Sequence, residues 1–568
     1  MNGSQLLIEK LKENGVKTIF GYPGGVLLPF YDALCESDIQ HMLVRHEQAA
    51  VHAADGYARA SGKVGVCLAT SGPGATNITT GIATAHMDSS PIVALTGQVA
   101  IDLIGKDVFQ EVDTLGITMP ISKHNYQPRK ADTIPEVVDK AFYIAQTGRP
   151  GPVVIDFPNN VLKEEVNPED IDPDTTTPGY KPNTHGHKKQ IQKAINTINQ
   201  SKKPVILAGG GVILSNATCE LEKFVELTNI PVVTTLMGKG AIDETHPNAL
   251  GMIGMHGLQQ ANKALLESDC LIAIGCRFSD RSVSSISEYT PNATRIQIDI
   301  DPAEIGKTIE IAIPIVGDAK TILTQLIKQT LETKINWTQK ITNLTYPEDI
   351  TNYTTLPLKP QKIIEELMDT VDKNTIITTD VGQNQMWMAH YYKTRNPRTF
   401  ISSGGLGTMG FGLPAAIGAQ VACPDDTVIS ICGDGGFQMV SQELATIKEN
   451  DLPIISIILN NRYLGMVAQL QKQFNNHVYA TKLDETPDFV KLAEAYGITG
   501  TRVQKPGELK EAITIAQKQR EHTVIDVIID DEELLPIVPP GTRLDNMQHK
   551  TIQGEWRKIW QKKMKNIQ

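Results

Sequence analysis

The strongest constraint on how this chain folds is a pattern that recurs along its length: a short apolar, β-branched run, then a turn, then a helical periodicity. Runs such as VGVCLAT (64–70), PIVALTG (91–97) and GPVVIDFP (151–158) have almost no polar face. A strand of that kind is buried on both sides, the situation of a parallel sheet covered by helices. The alternation returns with PVILAGGG (204–211), CLIAIGC (270–276) and TRIQIDIDP (294–302), then with NTIITTDVG (374–382), TVISICGDGG (427–436), PIISIILNN (453–461) and HTVIDVIID (522–530). The expected fold class is α/β, three successive parallel-sheet domains over 1–165, 189–335 and 358–535. Residues 161–188, rich in Pro, Asp and Thr without hydrophobic periodicity, read as an extended linker. The tail, 536–568, carries PIVPPG and then a basic amphipathic stretch, GEWRKIWQKKMKN, open to reading as a solvated terminal helix, a lid or a contact surface.

At 568 residues the chain exceeds what one core organises, in keeping with several domains. A net charge of -11 argues against nucleic acid or an anionic membrane as the main partner, since both need clustered Lys and Arg. The seven cysteines are scattered with no CxxC, which suggests neither a zinc site nor a disulfide framework and points to a reducing cytoplasm. The longest apolar stretches, such as IISIIL (454–459), fall far short of the roughly 20 residues that span a bilayer. The N-terminal stretch mixes Glu and Lys and has no signal-peptide core. A cytoplasmic protein without membrane segments is expected.

Three places carry chemistry. In SICGDGGFQ a strand ends in Gly433-Asp434-Gly435-Gly436 and a helix follows, so backbone N–H groups gather at a helix start that can hold phosphate. The strand PIISIILNN ends at Asn461, and neighbouring parallel strands bring Asp434 and Asn461 to one sheet edge. A carboxylate and an amide leave magnesium room for phosphate oxygens, a backbone carbonyl and water. A lone GDG is usually only a tight turn; its pairing with NN is what makes it specific. In MLVRHEQAAVHAADGYARASG, Glu47 follows an apolar strand and opens an Ala-rich helix, a buried neighbourhood where a glutamate is costly without a partner, although a helix-start Glu also answers the macrodipole. In the middle segment Gly209, Gly210 and Gly211 stand where a strand turns into a helix, and Asp299 and Asp318 end later strands, a layout compatible with a dinucleotide.

The segments RHEQAA, DGYARASG, SGPGATN (71–77), FQEVD (109–113), GMHG (254–257), GCRFSDR (275–281), DVGQNQMW (380–387), SSGGLGTMGFGLPAAIGAQ (402–420), GDGG and NN follow in the order found in the acetolactate synthases. The chain resembles that family of thiamin diphosphate-dependent enzymes over essentially residues 1–548. The resemblance implies a pyrimidine-binding, a central FAD-type and a diphosphate-binding domain. It implies decarboxylation of pyruvate and transfer of the two-carbon unit to a second pyruvate or to 2-oxobutyrate, the first common step towards the branched-chain amino acids. The cofactors implied are thiamin diphosphate, Mg2+ and FAD, the last without net redox chemistry.

By the same resemblance Asp434 and Asn461 hold the metal through their side chains and Tyr463 through its carbonyl, while Val381, Gly382, Gln383, Gly407, Met409 and Met466 surround the thiamin, Met409 as an apolar wedge between its rings. Glu47 activates the pyrimidine; Gly25 and Val26 of GYPGG lie near the thiazolium, and Gln110 faces the reacting centre. Arg149, Met255, His256, Arg277 and Arg281, with the glycines and acids above, belong to the flavin segments, and Arg281 also pairs the carboxylate of the acceptor. The site is completed across two chains, so a homodimer or homotetramer is expected, and a small regulatory subunit accompanies many members. Three positions depart from the family pattern: Ser279 replaces the first Asp of RFDDR, Asn159 a Lys, and Leu470 a Trp that shapes the acceptor pocket. Two other activities fit these motifs: a flavin-dependent pyruvate oxidase and a simple 2-oxo acid decarboxylase. A catalytically silent thiamin-binding scaffold is a further reading, opposed by the presence of Glu47, Asp434 and Asn461.

Overall fold

A computed structural model of the chain describes residues 1–167, 169, 177–329, 337, 356–475 and 477–548. The basic stretch of the tail lies outside the described residues, as does most of the polar segment before residue 357.

The apolar runs form eighteen parallel strands in three six-stranded sheets. The first sheet holds β1 (Thr18–Gly21), β2 (Gln40–Leu43), β3 (Gly65–Ala69), β4 (Ile92–Gln98), β5 (His124–Tyr126) and β6 (Val153–Pro158), in the order β2-β1-β3-β4-β6-β5. The second holds β7 (Pro204–Ala208), β8 (Val232–Thr234), β9 (Ala249–Met252), β10 (Cys270–Ile274), β11 (Thr294–Asp299) and β12 (Ile313–Val316), ordered β12-β11-β10-β7-β8-β9. The third holds β13 (Ile376–Thr379), β14 (Phe400–Ser402), β15 (Val428–Gly433), β16 (Ile455–Asn460), β17 (Thr499–Val503) and β18 (Thr523–Ile528), ordered β14-β13-β15-β16-β18-β17. Interior strands such as β3, β4, β7, β10 and β16 are buried at every residue, whereas the edge strands β2 and β17 are mostly partly or fully exposed. The expected α/β architecture of three parallel sheets is the one present.

These strand orders place the chemistry. In each sheet the chain leaves its first strand towards one side and later returns on the other, so the order reverses between β1 and β3, between β7 and β10, and between β13 and β15. The crevice outside the carboxyl ends at such a reversal is where open α/β sheets bind ligands. GYPGG follows β1 and SGPG follows β3; the triple glycine follows β7 and Arg277 lies just beyond β10; Asp380 follows β13 and Asp434 follows β15.

The first and third domains share one apolar core, joined by the helices Glu47–Ser61 and Gly412–Ala422. Both are rich in Ala and Gly because their backbones touch. A Cβ on Gly56 would lie 2.1 Å from the Ala415 carbonyl oxygen, and one on Gly418 only 1.8 Å from that of Ala53. Gly418→Ala is therefore expected to force the helices apart, costing about 1–3 kcal/mol as overpacking does and lowering the thermal unfolding midpoint followed by circular dichroism.

Polar ties reinforce the joint. Arg59 bonds Asp55 at 2.7 Å and Asp88 at 2.8 Å and donates to the Ser402 carbonyl at 2.6 Å, while Asp88 accepts from the Gly404 and Gly405 amides. Arg398 spans all three domains with one guanidinium, donating to the carbonyls of Arg59 and Ile213 and to Asn216 Oδ1. The linker region opens as a short helix, Asn159–Lys163, and further along Tyr180 Oη is held by Lys123. The tail folds back on the middle domain: the Val538 amide donates to the Met255 carbonyl and the Pro536 carbonyl meets His256 Nδ1.

Candidate functional site

At the reversal between β13 and β15 a cleft is lined by Val381, Gly382, Gln383, Met409, the turn Gly433-Asp434-Gly435-Gly436, Asn461, Tyr463 and Met466. Of the residues expected to surround the thiamin from the C-terminal domain, Val381, Gly382, Gln383, Met409 and Met466 border it and Gly407 does not. Asp434 is 1% exposed, its Oδ2 has no hydrogen-bond partner, and burial pushes its carboxyl up to about 7. A buried carboxylate oxygen with nothing to bind is the mark of a cation site. Asn461 sits beside it, its Nδ2 donating to Gln383 Oε1 at 3.1 Å and its Oδ1 accepting from the Tyr463 amide. No cluster of three or more His, Cys, Asp or Glu that could hold a metal occurs among the described residues. An ion held between Asp434 and Asn461 would take a carboxylate and an amide oxygen and would need phosphate oxygens or water for the rest, a set that suits magnesium.

Residues beyond those singled out in the sequence also face this cleft. Asn384 and Trp387 line it, and Asn384 Oδ1 and Trp387 Nε1 are buried without partners. Both lie on the helix Gln383–Tyr391. Their spacing along DVGQNQMW was the available signal, since residues three and four apart share a helix face.

The cleft adjoins a cavity of about 1160 Å³ between the domains, with which it shares the walls formed by Val381, Gly382, Met409, Met466 and Val467. Gly407 and Leu470 line this cavity, as do Arg149, Gly210, Gly211, Met255, His256, Arg277, Arg281, Asp299 and Asp318. It is large enough for a dinucleotide. The Arg277 guanidinium makes no hydrogen bond or ion pair with any described residue, and burial pulls its pKa down, so the wall holds a cation in want of an anion. Arg149 instead bonds Glu304 at 2.9 Å. Arg281 stands at the rim, largely exposed, its Nη1 3.1 Å from Met255 Sδ. Burial lowers the His256 imidazole to about 4, so it lines the wall as a neutral ring, and raises the Asp299 carboxyl to about 6.

Two middle-domain candidates have structural duties. Gly209 does not line the cavity; a Cβ there would lie 2.1 Å from the Gly275 carbonyl oxygen, so it permits the ends of β7 and β10 to meet. Asp318 does line it, but both its oxygens are engaged, one capping the helix Ala319–Ile327 through the Thr321 amide and the other taking the Ser215 hydroxyl.

Glu47, Gly25, Val26 and Gln110 border neither the cleft nor the cavity. They form a second cluster at the reversal between β1 and β3. A Cβ on Gly74 would lie 3.4 Å from Glu47 Oε1, one on Gly24 would strike Thr70, and one on Gly72 would strike Gln110, whose φ is +59°. Glu47 opens its helix as expected, but it is only partly buried, and Asn77 Nδ2 donates to its Oε2 at 2.8 Å. Asn159 donates to the Val26 carbonyl and so ties down the GYPGG loop. Exposed apolar side chains occur near both groups: Leu28 and Phe109 on the domain of Glu47, Leu406 and Val467 on the wall of the cavity.

The domain sequences agree with this geometry. Residues 1–117 match the N-terminal TPP binding domain, 191–326 the central domain and 380–527 the C-terminal TPP binding domain of thiamine pyrophosphate enzymes. The chain is 56% identical to a probable acetolactate synthase large subunit of Methanococcus aeolicus, over 96% of this chain and 95% of that one. It is 45% identical to the acetolactate synthase isozyme 3 large subunit of Escherichia coli K12, over 96% and 98%, and 46% identical to the acetolactate synthase large subunit of Lactococcus lactis, over 96% of each.

The chain belongs to the acetolactate synthase large-subunit family.

It is a thiamin diphosphate-dependent enzyme of the transferase type, and the cleft beside Asp434 lies within its C-terminal TPP binding domain. No helix among the described residues is long and apolar enough to cross a membrane.

Proposed function

We propose that this chain is the catalytic subunit of an acetolactate synthase, which decarboxylates pyruvate and joins the remaining two-carbon unit to a second pyruvate, giving 2-acetolactate, or to 2-oxobutyrate, giving 2-aceto-2-hydroxybutyrate. The observation that carries this reading is the adjacency of the two spaces: the cleft with the unpartnered Asp434 oxygen shares a wall with a cavity lined by Arg281 and Leu470, the side chains that would meet a second oxo acid. When bound, thiamin diphosphate supplies the nucleophilic carbon and the sink for the electron pair left as carbon dioxide departs. Asp434 and Asn461, with the Tyr463 carbonyl, hold Mg2+ against the diphosphate, whose oxygens meet the amides of Gly435 and Gly436. Met409 separates the rings, while Gly382, Gln383 and Met466 close the cleft around them. Glu47 holds and passes a proton at the pyrimidine ring, and Gly25, Val26 and Gln110 wall the reacting face. FAD fits the larger cavity, with Arg277 paired to its phosphates and Gly210, Gly211, Met255 and His256 against its body.

Because Glu47 lies apart from the cleft, the active unit is a homodimer in which each Glu47 serves the cleft of the other copy; the exposed Leu28, Phe109, Leu406 and Val467 are then covered. A tetramer and a small regulatory subunit are compatible additions, and the cytoplasm is the natural compartment for this reaction.

Leu470 stands on the cavity wall where many relatives carry Trp. Leu470→Trp is expected to raise the preference for 2-oxobutyrate over pyruvate by about tenfold, the scale of one added aromatic contact to an extra methylene; competition between the two acceptors, with both products quantified, measures it. The function itself is tested by incubating the protein anaerobically with pyruvate, thiamin diphosphate, Mg2+ and FAD and separating acetolactate from acetaldehyde, acetate and acetyl phosphate. Acetolactate as main product supports the proposal; acetaldehyde alone, or acetate or acetyl phosphate formed only with oxygen and phosphate restored, would replace it by a decarboxylase or an oxidase.

A further inference from the structure

Asp380 is fully buried directly after β13, beside the cleft, and no cationic side chain pairs with it among the described residues. Its partners are backbone amides. Oδ1 accepts from Val381 at 2.8 Å, the two oxygens accept from Gly410 at 3.1 and 2.9 Å, and Oδ2 accepts from Gly412 at 3.2 Å. The carboxylate also fills the space under the metal-site turn: a Cβ on Gly436 would lie 2.4 Å from Asp380 Oδ1. Three segments of the cleft therefore converge on one side chain. A buried carboxylate held only by amides costs desolvation, seen in a carboxyl pushed up to about 6. An apolar residue would be the cheaper filler if packing were all that was required.

The segment it grips is the one that carries Met409. Residues 407–412 form an arch whose Gly407 and Gly410 are in the left-handed region, at φ +72° and +84°. One foot is fixed by Ser403 Oγ, which accepts from the Thr408 amide at 3.0 Å, and by the contact of the Thr408 hydroxyl with that of Thr84 at 2.7 Å. The other foot is fixed by Asp380, which takes the Gly410 and Gly412 amides, and by the Thr378 hydroxyl, which donates to the Gly412 carbonyl at 2.8 Å. Met409 projects between these two anchors into the cleft.

We propose that Asp380 is a positioning residue for the reaction: its acceptor-only carboxylate clamps the Gly410–Gly412 amides and so sets the height at which Met409 meets the two rings of the cofactor. The inference rests on the reading of Met409 as the wedge between those rings. It predicts that loosening the clamp harms placement of the rings but spares the diphosphate and metal contacts, which lie on β15 and β16.

Asp380→Asn separates the two. The amide has one acceptor oxygen in place of two and must turn its NH2 towards a backbone N–H, which loses part of the clamp while keeping the volume. Binding is followed by tryptophan fluorescence, since Trp387 lines the cleft, with Mg2+ and either thiamin diphosphate or inorganic pyrophosphate as probe. Expected are affinity for thiamin diphosphate weakened about tenfold or more, affinity for pyrophosphate within about threefold of wild type, and kcat at saturating cofactor down about tenfold or more with KM for pyruvate little changed. Wild-type thiamin diphosphate affinity and kcat in the variant would overturn the proposal, and so would equal losses for both probes, which would place the effect at Gly436. Gly410→Ala, which strains the arch with Asp380 intact, is expected to show the same split; should Asp380→Asn not fold, an unsplit response in Gly410→Ala overturns the proposal by itself. If wild type bound pyrophosphate but not thiamin diphosphate, the wedge reading would fail and this inference with it.

Discussion

Glu47→Gln is expected to lower pyruvate turnover by roughly 10²–10⁴-fold while leaving thiamin diphosphate and magnesium affinity within a few-fold of wild type. Glutamine keeps the volume and can still accept the hydrogen bond from Asn77, so the helix start and its loop should survive. It cannot hold or pass a proton. The anaerobic acetolactate assay and fluorescence titration of the cofactor read the two effects separately, and equal losses in both would assign Glu47 to binding instead. The same variant tests the shared site. Coexpressed with Asp434→Asn, it should recover about one quarter of the wild-type rate if chains pair at random, because half the dimers are mixed and each mixed dimer keeps one site with both groups intact. If each site were built within one chain, the mixture would remain as inactive as its components.

The second large effect concerns the metal. With its carboxyl near 7 in the metal-free protein, Asp434 must lose a proton to bind magnesium. Affinity for Mg2+ measured with pyrophosphate is therefore expected to rise about tenfold per pH unit below roughly pH 7 and to level off above it. Asp434→Asn should bind weakly with no such slope and should lose nearly all turnover. The metal-free fold carries the opposite sign. A carboxyl raised from 3.8 to about 7 by burial favours the native state while protonated, so its contribution is full below about pH 4 and is lost as pH rises towards 7. Magnesium should restore it, which thermal unfolding at pH 5 and pH 8 with and without the ion would show. A slope that persisted in the Asn variant would assign the proton to another group.

Much of the C-terminal half-site was legible because its parts are local. GDGG and NN each end a strand, and a strand end reads directly as a strong apolar run followed by small or polar residues; parallel pairing of β15 with β16 then brings Asp434 beside Asn461. Other roles were invisible for an equally physical reason. Nothing in PVILAGGG shows that Gly209 serves backbone contact with Gly275, since that depends on the approach of a strand more than sixty residues away. Asp318 reads as an acid at a strand end compatible with a dinucleotide and is also a helix cap, because both roles use the same residue type at the same place. Asp380 opens the DVGQNQMW segment and looks like an ordinary strand terminus until the Gly410–Gly412 amides arrive from thirty residues on. Glu47 was expected to be buried; in the single chain it is partly open and does not line the cleft it is proposed to serve.

By itself the sequence determined what periodicity and short-range chemistry can specify: three parallel α/β sheets, their glycine-rich strand ends, and a carboxylate and an amide suited to magnesium. Only the tertiary structure decided how these parts meet. The helices of Gly56 and Gly418 touch backbone to backbone, the cleft shares a wall with a cavity between domains, and Glu47 lies outside the cleft that Asp434 lines. The division follows from range: hydrogen bonding and alternation of apolar side chains act over a few residues and leave a trace in the order of amino acids, whereas contacts between distant segments depend on sheet order and helix approach, which no local pattern encodes.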